Sequence, residues 1–212
     1  FPTRRSSDLA ANGHKEIVLV GINLAFYGKE FDLCLADAVE VCCKIKGVER
    51  VRLGSLEPEV ITDSDLERLS KLPQFCPHFH LSLQSGCDKT LKNMNRHYNC
   101  EQYYDLVCRI RKYFSNASFT TDIMVGFPDE TDKDFEESLK FAEKIGFSKI
   151  HVFPYSIRPG TKAAEMKNQV SENIKAQRAK IMKSAGSQLT ERFMKTQDRK
   201  STRLNSSHHD IS

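Results

Sequence analysis

No run in these 212 residues approaches the ~18 consecutive apolar positions of a membrane helix, and no charged-then-apolar leader opens the chain. A membrane partner is therefore not expected, and the cytoplasm is the expected compartment. Closely spaced cysteines are missing too. The seven thiols (Cys34, Cys42, Cys43, Cys76, Cys87, Cys100 and Cys108) are odd in number, and no two lie three or four residues apart. That argues for reduced cysteines over a disulfide framework. It also excludes a local metal or iron–sulfur loop, which needs several thiolates from one short segment. No internal repeat is visible. What is present is an ordinary soluble composition, 39% hydrophobic, long enough for one good-sized core and with no mark of a second domain.

The two ends lack periodicity. Residues 1–9 and 198–212 are polar, and each back-translates into DNA resembling the common short-read sequencing adapters. Both are read as non-native, adapter-like tails, expected to be disordered or unpacked, with natural disordered tails as the plainer alternative, and residues 10–197 as a piece of something longer. Each tail carries a net +1, so setting both aside lowers the formal charge from +4 to +2. The paired His208 and His209 then cease to be a metal-site candidate, and no residue is assigned to a metal.

Between the tails, apolar runs alternate with helical periodicities. Residues 16–24 (Glu-Ile-Val-Leu-Val-Gly-Ile-Asn-Leu) form a continuous apolar run of the kind buried in parallel sheets. Leu35, Ala38, Val39, Cys42 and Ile45 recur at helical spacing, closed by Gly47. A strand over 50–58, a short helix over 62–72, a strand and turn over 79–86 and a helix over 100–114 follow. Then come a strand at 118–125, a helix at 131–145, a strand at 149–154 and an amphipathic helix from about 171 to 195. Five strands with connections long enough for right-handed crossovers predict an α/β fold. The expected form is a partial TIM-type (β/α) barrel of parallel strands with outer helices, truncated at its N-terminus and open at its first edge.

Polar or glycine residues stand at the ends of those strands: Gly21 and Asn23, then Glu57, then Ser82, Gln84 and Ser85, then Asp122 and Gly126, then Tyr155. The carboxyl ends of barrel strands hold ligands, so five such ends in register suggest one ligand surface. Each also has a plainer reading. Glu57 before Pro58 suits a turn, and Gln84-Ser85-Gly86 suits the cap of the next helix. Asp122 inside an apolar strand is harder to dismiss, because a buried carboxylate needs donors. Gly126, without a Cβ, lets the backbone approach a ligand closely. His80 and His151 read as packed core residues. From Lys162 to Lys195 eight Lys or Arg stand against three Glu, either a solvated helix face or a stripe for a nucleic-acid backbone.

Four segments, in order, carry a resemblance. They are residues 52–58 (Arg-Leu-Gly-Ser-Leu-Glu-Pro), 80–88 (His-Leu-Ser-Leu-Gln-Ser-Gly-Cys-Asp) with Met94-Asn95-Arg96, 121–131 (Thr-Asp-Ile-Met-Val-Gly-Phe-Pro-Asp-Glu-Thr) and 151–161 (His-Val-Phe-Pro-Tyr-Ser-Ile-Arg-Pro-Gly-Thr). Together they resemble the radical S-adenosylmethionine (SAM) methylthiotransferases that modify tRNA. The Leu-Ser-Leu-Gln-Ser-Gly-Cys-Asp form, and Gly21-Ile-Asn-Leu with Tyr27-Gly28, look most like the subgroup acting on threonylcarbamoyladenosine, beside the anticodon. The likeness covers about residues 13–190.

The resemblance implies an enzyme with SAM as cofactor, [4Fe–4S] clusters in the parent protein and tRNA as partner; protein partners stay unnamed. In such enzymes the core cluster hangs on a Cys-x-x-x-Cys-x-x-Cys loop that this chain lacks, so the fragment is expected to be inactive alone. Carried over residue by residue, Glu57, Ser82, Gln84 and Asp122 contact the amino-acid or ribose part of SAM, with Asn23 and Ser85 in the same set. Gly126 and Phe127-Pro128 flank the adenine. Tyr155 joins this set near the substrate side, where Arg158 lies. The implied chemistry is reductive cleavage of SAM to a 5′-deoxyadenosyl radical, hydrogen abstraction from the adenine of tRNA, and insertion of a methylthio group. Two other readings stay open: a radical SAM enzyme with a non-RNA substrate, and a non-catalytic basic RNA-binding α/β module.

Overall fold

The computed structural model describes residues 2–21, 24 and 27–207. Asn23 lies outside the described residues. Where one core was expected, the chain divides into two compact units: residues 1–83 with 101–119, and residues 84–100 with 120–212.

In the first unit α1 (Pro2–Ala11) leads into β1 (Glu16–Leu19), α2 (Leu35–Cys43), β2 (Arg50–Leu53), β3 (Ser55–Leu56), α3 (Asp63–Ser70) and β4 (His78–Leu81). α5 (Cys100–Tyr113), from its second residue, and the start of β5 (Ser118–Val125) complete it. β1 and β2 are parallel, with Ile17 opposite Val51 and Leu19 opposite Leu53. The single strand expected over 50–58 is broken at Gly54. β2 stays with β1, whereas β3 pairs in parallel with β4, Leu56 opposite Leu81. The Gly54 N–H donates to Leu19 O at 2.7 Å, and a Cβ there would stand 2.7 Å from Val20 Cγ1. The two segments lie close where the strand is interrupted, and a side chain at 54 would have to push the exposed Val20 aside. β1 also stops short of the expected 24, with Val20 exposed, and β2 is its only sheet partner among the described residues.

Four rings fill the core of this unit. Phe79 lies 5.9 Å from Phe75, 5.5 Å from Phe114 and 6.0 Å from Phe119, centroid to centroid. Burial of each is worth about 1.5–3 kcal/mol relative to exposure. Tyr103, fully buried, donates its hydroxyl to Leu81 O at 3.0 Å, so no polar atom is stranded there. The expectation of an unpacked tail over 1–9 does not hold. Pro2–Ala11 is helical, and Ser6 is buried with its hydroxyl 3.7 Å from Cys42 Sγ. Pro2 at the first helical position sacrifices only an N–H that would be orphaned anyway, and nothing between it and Ala11 breaks a helix.

Arg68 ties α3 to α2. Its guanidinium donates to Asp37 Oδ1 at 2.6 Å, Glu40 Oε1 at 2.8 Å and Cys34 Sγ at 3.1 Å. The Arg68 bond, followed by the Cys34 N–H, holds the Asp37 carboxyl at about 2. A carboxyl lowered in the folded state binds fewer protons folded than unfolded. Its stabilisation is therefore complete above the ordinary carboxylate value and is lost as pH falls toward 2. Arg68→Met is expected to lower stability by about 1–3 kcal/mol at pH 7. The variant's deficit should shrink as pH falls from 4 to 2, because the wild type then loses the same contribution. Urea unfolding over that range is the check, and a deficit constant with pH would assign the loss to packing.

The second unit opens with a turn at 84–87 and α4 (Asp88–Asn93). It continues through the rest of β5, α6 (Asp132–Ile145), β6 (Lys149–Pro154), α7 (Lys162–Glu165) and α8 (Glu172–Ser207). β5 and β6 are parallel, with Asp122 opposite His151 and Met124 opposite Phe153. Thr121, Ile123 and Val125 are buried, whereas Asp122 and Met124 are half-buried and Phe153 is 51% exposed. The pair thus has one packed face and one less covered face that mixes polar and aromatic groups. α6 begins at a capping box in which Thr131 and Asp134 bond each other's backbone N–H groups. α8 packs on β6 and α6, burying Ala179, Met182 and Leu189. It does not end near residue 195 as expected but runs to Ser207, since no Gly or Pro follows Gln197 to stop it. No helix among the described residues is long and apolar enough to cross a membrane.

Candidate functional site

Glu57 and Ser82 belong to the first unit. Glu57 is exposed just past β3, and its carbonyl accepts from the Val60 N–H at 3.1 Å, the geometry of a turn. Ser82 is half-buried, and its N–H extends the β3–β4 ladder to Leu56 O at 3.3 Å.

The remaining described candidates lie in the second unit. Gln84 has a left-handed backbone, φ 67°, unusual for a residue with a Cβ. Its N–H donates to Asp122 O and its carbonyl accepts from Met124 N–H, both at 2.8 Å, so β5 holds it in that conformation. Strain of this kind costs about 1–3 kcal/mol and gathers where a side chain must be aimed. Ser85 is buried, its hydroxyl accepting from Cys87 N–H at 3.3 Å, so its oxygen is engaged by the turn. Arg158 is exposed, and its carbonyl accepts from the Thr161 hydroxyl at 2.8 Å.

At the end of β5 the chain turns through Gly126, φ 72°. The close approach foreseen there is made by a protein side chain: a Cβ on Gly126 would stand 2.4 Å from Lys175 Cγ. Phe127 meets Tyr155 edge to face at 5.2 Å, and the Lys175 ammonium lies 5.2 Å from the Tyr155 ring centroid. Tyr155 is 7% exposed, and its buried hydroxyl has no hydrogen-bond partner among the described residues. Gly126 N–H donates to Glu130 Oε1 at 2.9 Å. Arg178 then holds Glu130, donating to its Oε1 at 2.8 Å and its carbonyl at 3.1 Å, and reaches Asp132 Oδ1 at 2.7 Å. Burial pushes the Glu130 carboxyl up, against the opposing pull of the Gly126 N–H and Arg178.

Sequence reasoning missed Glu130, Lys175 and Arg178. The signal was available: Lys175 and Arg178 fall in helical phase with Ala179, Met182 and Leu189, the buried stripe of α8. Two of the eight cations read as a solvated or nucleic-acid-facing set are therefore internal. The other six, Lys162, Lys167, Lys180, Lys183, Arg192 and Lys195, are exposed.

All seven cysteines are free thiols. Burial pushes up the thiols of Cys34, Cys42, Cys76, Cys87 and Cys100, and that of Cys43 to about 11. One trio of metal-capable groups occurs among the described residues: Cys87, Asp134 and Glu137. Asp134 already accepts from Lys89 Nζ at 2.6 Å and from Thr131 N–H, and the Cys87 thiol donates to Glu137 at 3.3 Å. That trio is a satisfied helix cap with a cation in place, and no metal is assigned to it.

The Radical SAM superfamily model matches residues 5–142. The chain is 40% identical, over 189 residues, to the threonylcarbamoyladenosine tRNA methylthiotransferase MtaB of Thermotoga maritima, covering 89% of this chain and 44% of the relative. It is 43% identical over 172 residues to a tRNA-2-methylthio-N(6)-dimethylallyladenosine synthase of Clostridium botulinum, covering 80% and 38%. The chain thus spans less than half the length of these relatives. Among solved structures, Escherichia coli coproporphyrinogen III oxidase, a radical SAM enzyme, superposes with a TM-score of 0.66 over 89% of this chain and 43% of its own. At 16% identity that likeness concerns the fold alone.

Proposed function

Because the chain belongs to the radical SAM superfamily, a family whose enzymes use SAM and a [4Fe–4S] cluster, we propose that it is the SAM-binding segment of a tRNA methylthiotransferase. The proposed substrate is the threonylcarbamoyladenosine beside the anticodon. The observation that carries the reading is the less covered face of β5, where half-buried Asp122 stands beside the left-handed Gln84 that β5 itself holds in place. The relatives at 40% and 43% identity, both acting on tRNA by name, support the substrate class. The six exposed cations after residue 161 suit a polyanionic partner.

Bound SAM supplies the methionyl and adenosyl groups whose cleavage starts the family's reaction. The donor set here fits it in kind: a carboxylate for ribose hydroxyls or the methionine ammonium at Asp122, and an orphaned hydroxyl at Tyr155. Glu57 and Ser82 are proposed as further polar contacts, Phe127 as part of the adenine wall and Arg158 as a substrate-side cation. The seven thiols do not fit the cluster. They are scattered at spacings that put no three on one loop, and burial disfavours the thiolate at six of them. The 212-residue chain alone is accordingly proposed to be inactive. The adapter match still favours a non-native origin for residues 1–9 and 198–212.

Asp122→Ala tests the assignment. In an enzyme of full family length carrying this segment, the substitution is expected to weaken SAM binding by about tenfold, the loss of one charge-assisted hydrogen bond, with little change in thermal stability. Calorimetric titration measures it, and unchanged affinity would remove Asp122 from the site. Mass spectrometry of tRNA nucleosides from cells depending on that enzyme reads the substrate: methylthiolation of a different adenosine would transfer the reading to another subgroup.

A further inference from the structure

Lys175 is the only buried lysine, 1% exposed, and Glu172 at 2.8 Å, itself 83% exposed, is its one ion-pair partner, both among the described residues. An ammonium taken out of water against a carboxylate that remains in it is a poor stabiliser, because desolvation opposes a screened attraction. A methionine of the same length would fill the space at less cost. What the ammonium does have is a fixed place. Its stem crosses Gly126 and its charge sits over the Tyr155 ring, which in turn packs on Phe127. The segment beneath turns through a left-handed Gly126, where glycine is at ease, and a left-handed Asp129, φ 66°, where a side chain makes that backbone costly. One helical turn further along, Arg178 secures the other end of the same segment through Glu130.

We propose that Lys175 is a positioning residue for the cofactor loop, residues 126–130, acting through Gly126 and Tyr155 to set the Phe127–Tyr155 wall and aim the Tyr155 hydroxyl. The proposal rests on the reading of that loop as part of a SAM site. Arg178 is the structural anchor of the loop, and Lys175 tunes the arrangement of its rings.

Lys175→Met keeps the stem over Gly126 and removes the charge. In the 212-residue chain the expected result is amide hydrogen exchange at 126–130 and 155 faster by at least about fivefold, with the global unfolding midpoint unchanged or raised. Lys175→Arg, which keeps a cation able to lie on an aromatic face, should restore most of the protection. In an enzyme of full family length carrying the segment, Lys175→Met should raise the KM for SAM about tenfold with kcat little altered. Unchanged exchange in Lys175→Met overturns the positioning role, as does a fall in protection shared by the whole chain. Asp122→Ala separates the two layers of the argument. If it leaves SAM affinity intact, the SAM reading fails while the exchange result still judges the loop; if it weakens affinity and Lys175→Met does not, the positioning role fails alone.

Discussion

Arg178→Met is expected to lower the stability of the chain by about 3–5 kcal/mol at pH 7, the usual cost of leaving one partner of a buried ion pair uncompensated. The Glu130 side chain is 2% exposed and, among the described residues, accepts from two donors, the Gly126 N–H and Arg178. Removing the guanidinium also strands the Glu130 carbonyl and releases Asp132. The pH dependence gives the mechanism away. Burial already raises the Glu130 carboxyl above the ordinary carboxylate value. A carboxyl raised in the folded state binds more protons folded than unfolded, so its penalty grows as pH rises through that window. Without Arg178 the carboxyl rises further, and the variant's deficit should be greatest near pH 8 and smaller near pH 5. Urea unfolding at the two values measures this. A deficit independent of pH would mean that lost packing against Phe135, over which the guanidinium lies at 5.7 Å, dominates instead.

Gly126→Ala should cost about 2–5 kcal/mol by two separable routes. A φ of 72° places any side chain in the left-handed region, at about 1–2 kcal/mol. The added Cβ would also lie 2.4 Å from Lys175 Cγ, near the root of a buried side chain that has little freedom to retreat, and overpacking of this kind costs about 1–3 kcal/mol. Combining it with Lys175→Ala removes the obstacle but not the backbone strain. The double variant should therefore be less damaged than the sum of its parts, and a double-mutant cycle by chemical denaturation gives the coupling. Strict additivity would show that the methyl group never meets the lysine.

β5 and α6 were legible nearly to the residue, because a stretch rich in β-branched and apolar residues closed by Gly126 and a helical periodicity after Thr131 are local signals. The break at Gly54 was not, since it depends on Val20 and Leu19 lying against it from another strand. The run at 16–24 promised a longer strand than forms, because apolar character does not reveal whether a neighbour is there to cover it. Pro2–Ala11 was misjudged for the opposite reason: polar residues without a breaker turn helical once one of them, Ser6, finds a buried seat. In the candidate site, Asp122 stood out as a carboxylate in an apolar strand. Lys175 and Arg178 did not, since a cation on a helix reads as solvated until its phase is compared with the apolar stripe. What fills the space above Gly126 is a tertiary fact, supplied by a helix distant in sequence.

The first unit is discontinuous along the chain, and that has a consequence in time. Phe79 is made before the excursion at 84–100, but Phe114 and Phe119, which close the core around it, follow that excursion. At synthesis rates of about 5–20 residues per second, Phe75 and Phe79 wait roughly two to eight seconds before all their partners exist. For the first part of that interval, until residue 103 is made, Leu81 also has no Tyr103 hydroxyl to accept from, and β4 lacks the rings that cover it. A ribosome-bound nascent chain stalled before residue 100 would thus present a sticky half-core, and the molecule's exposure to misassembly is set by the order in which its pieces arrive.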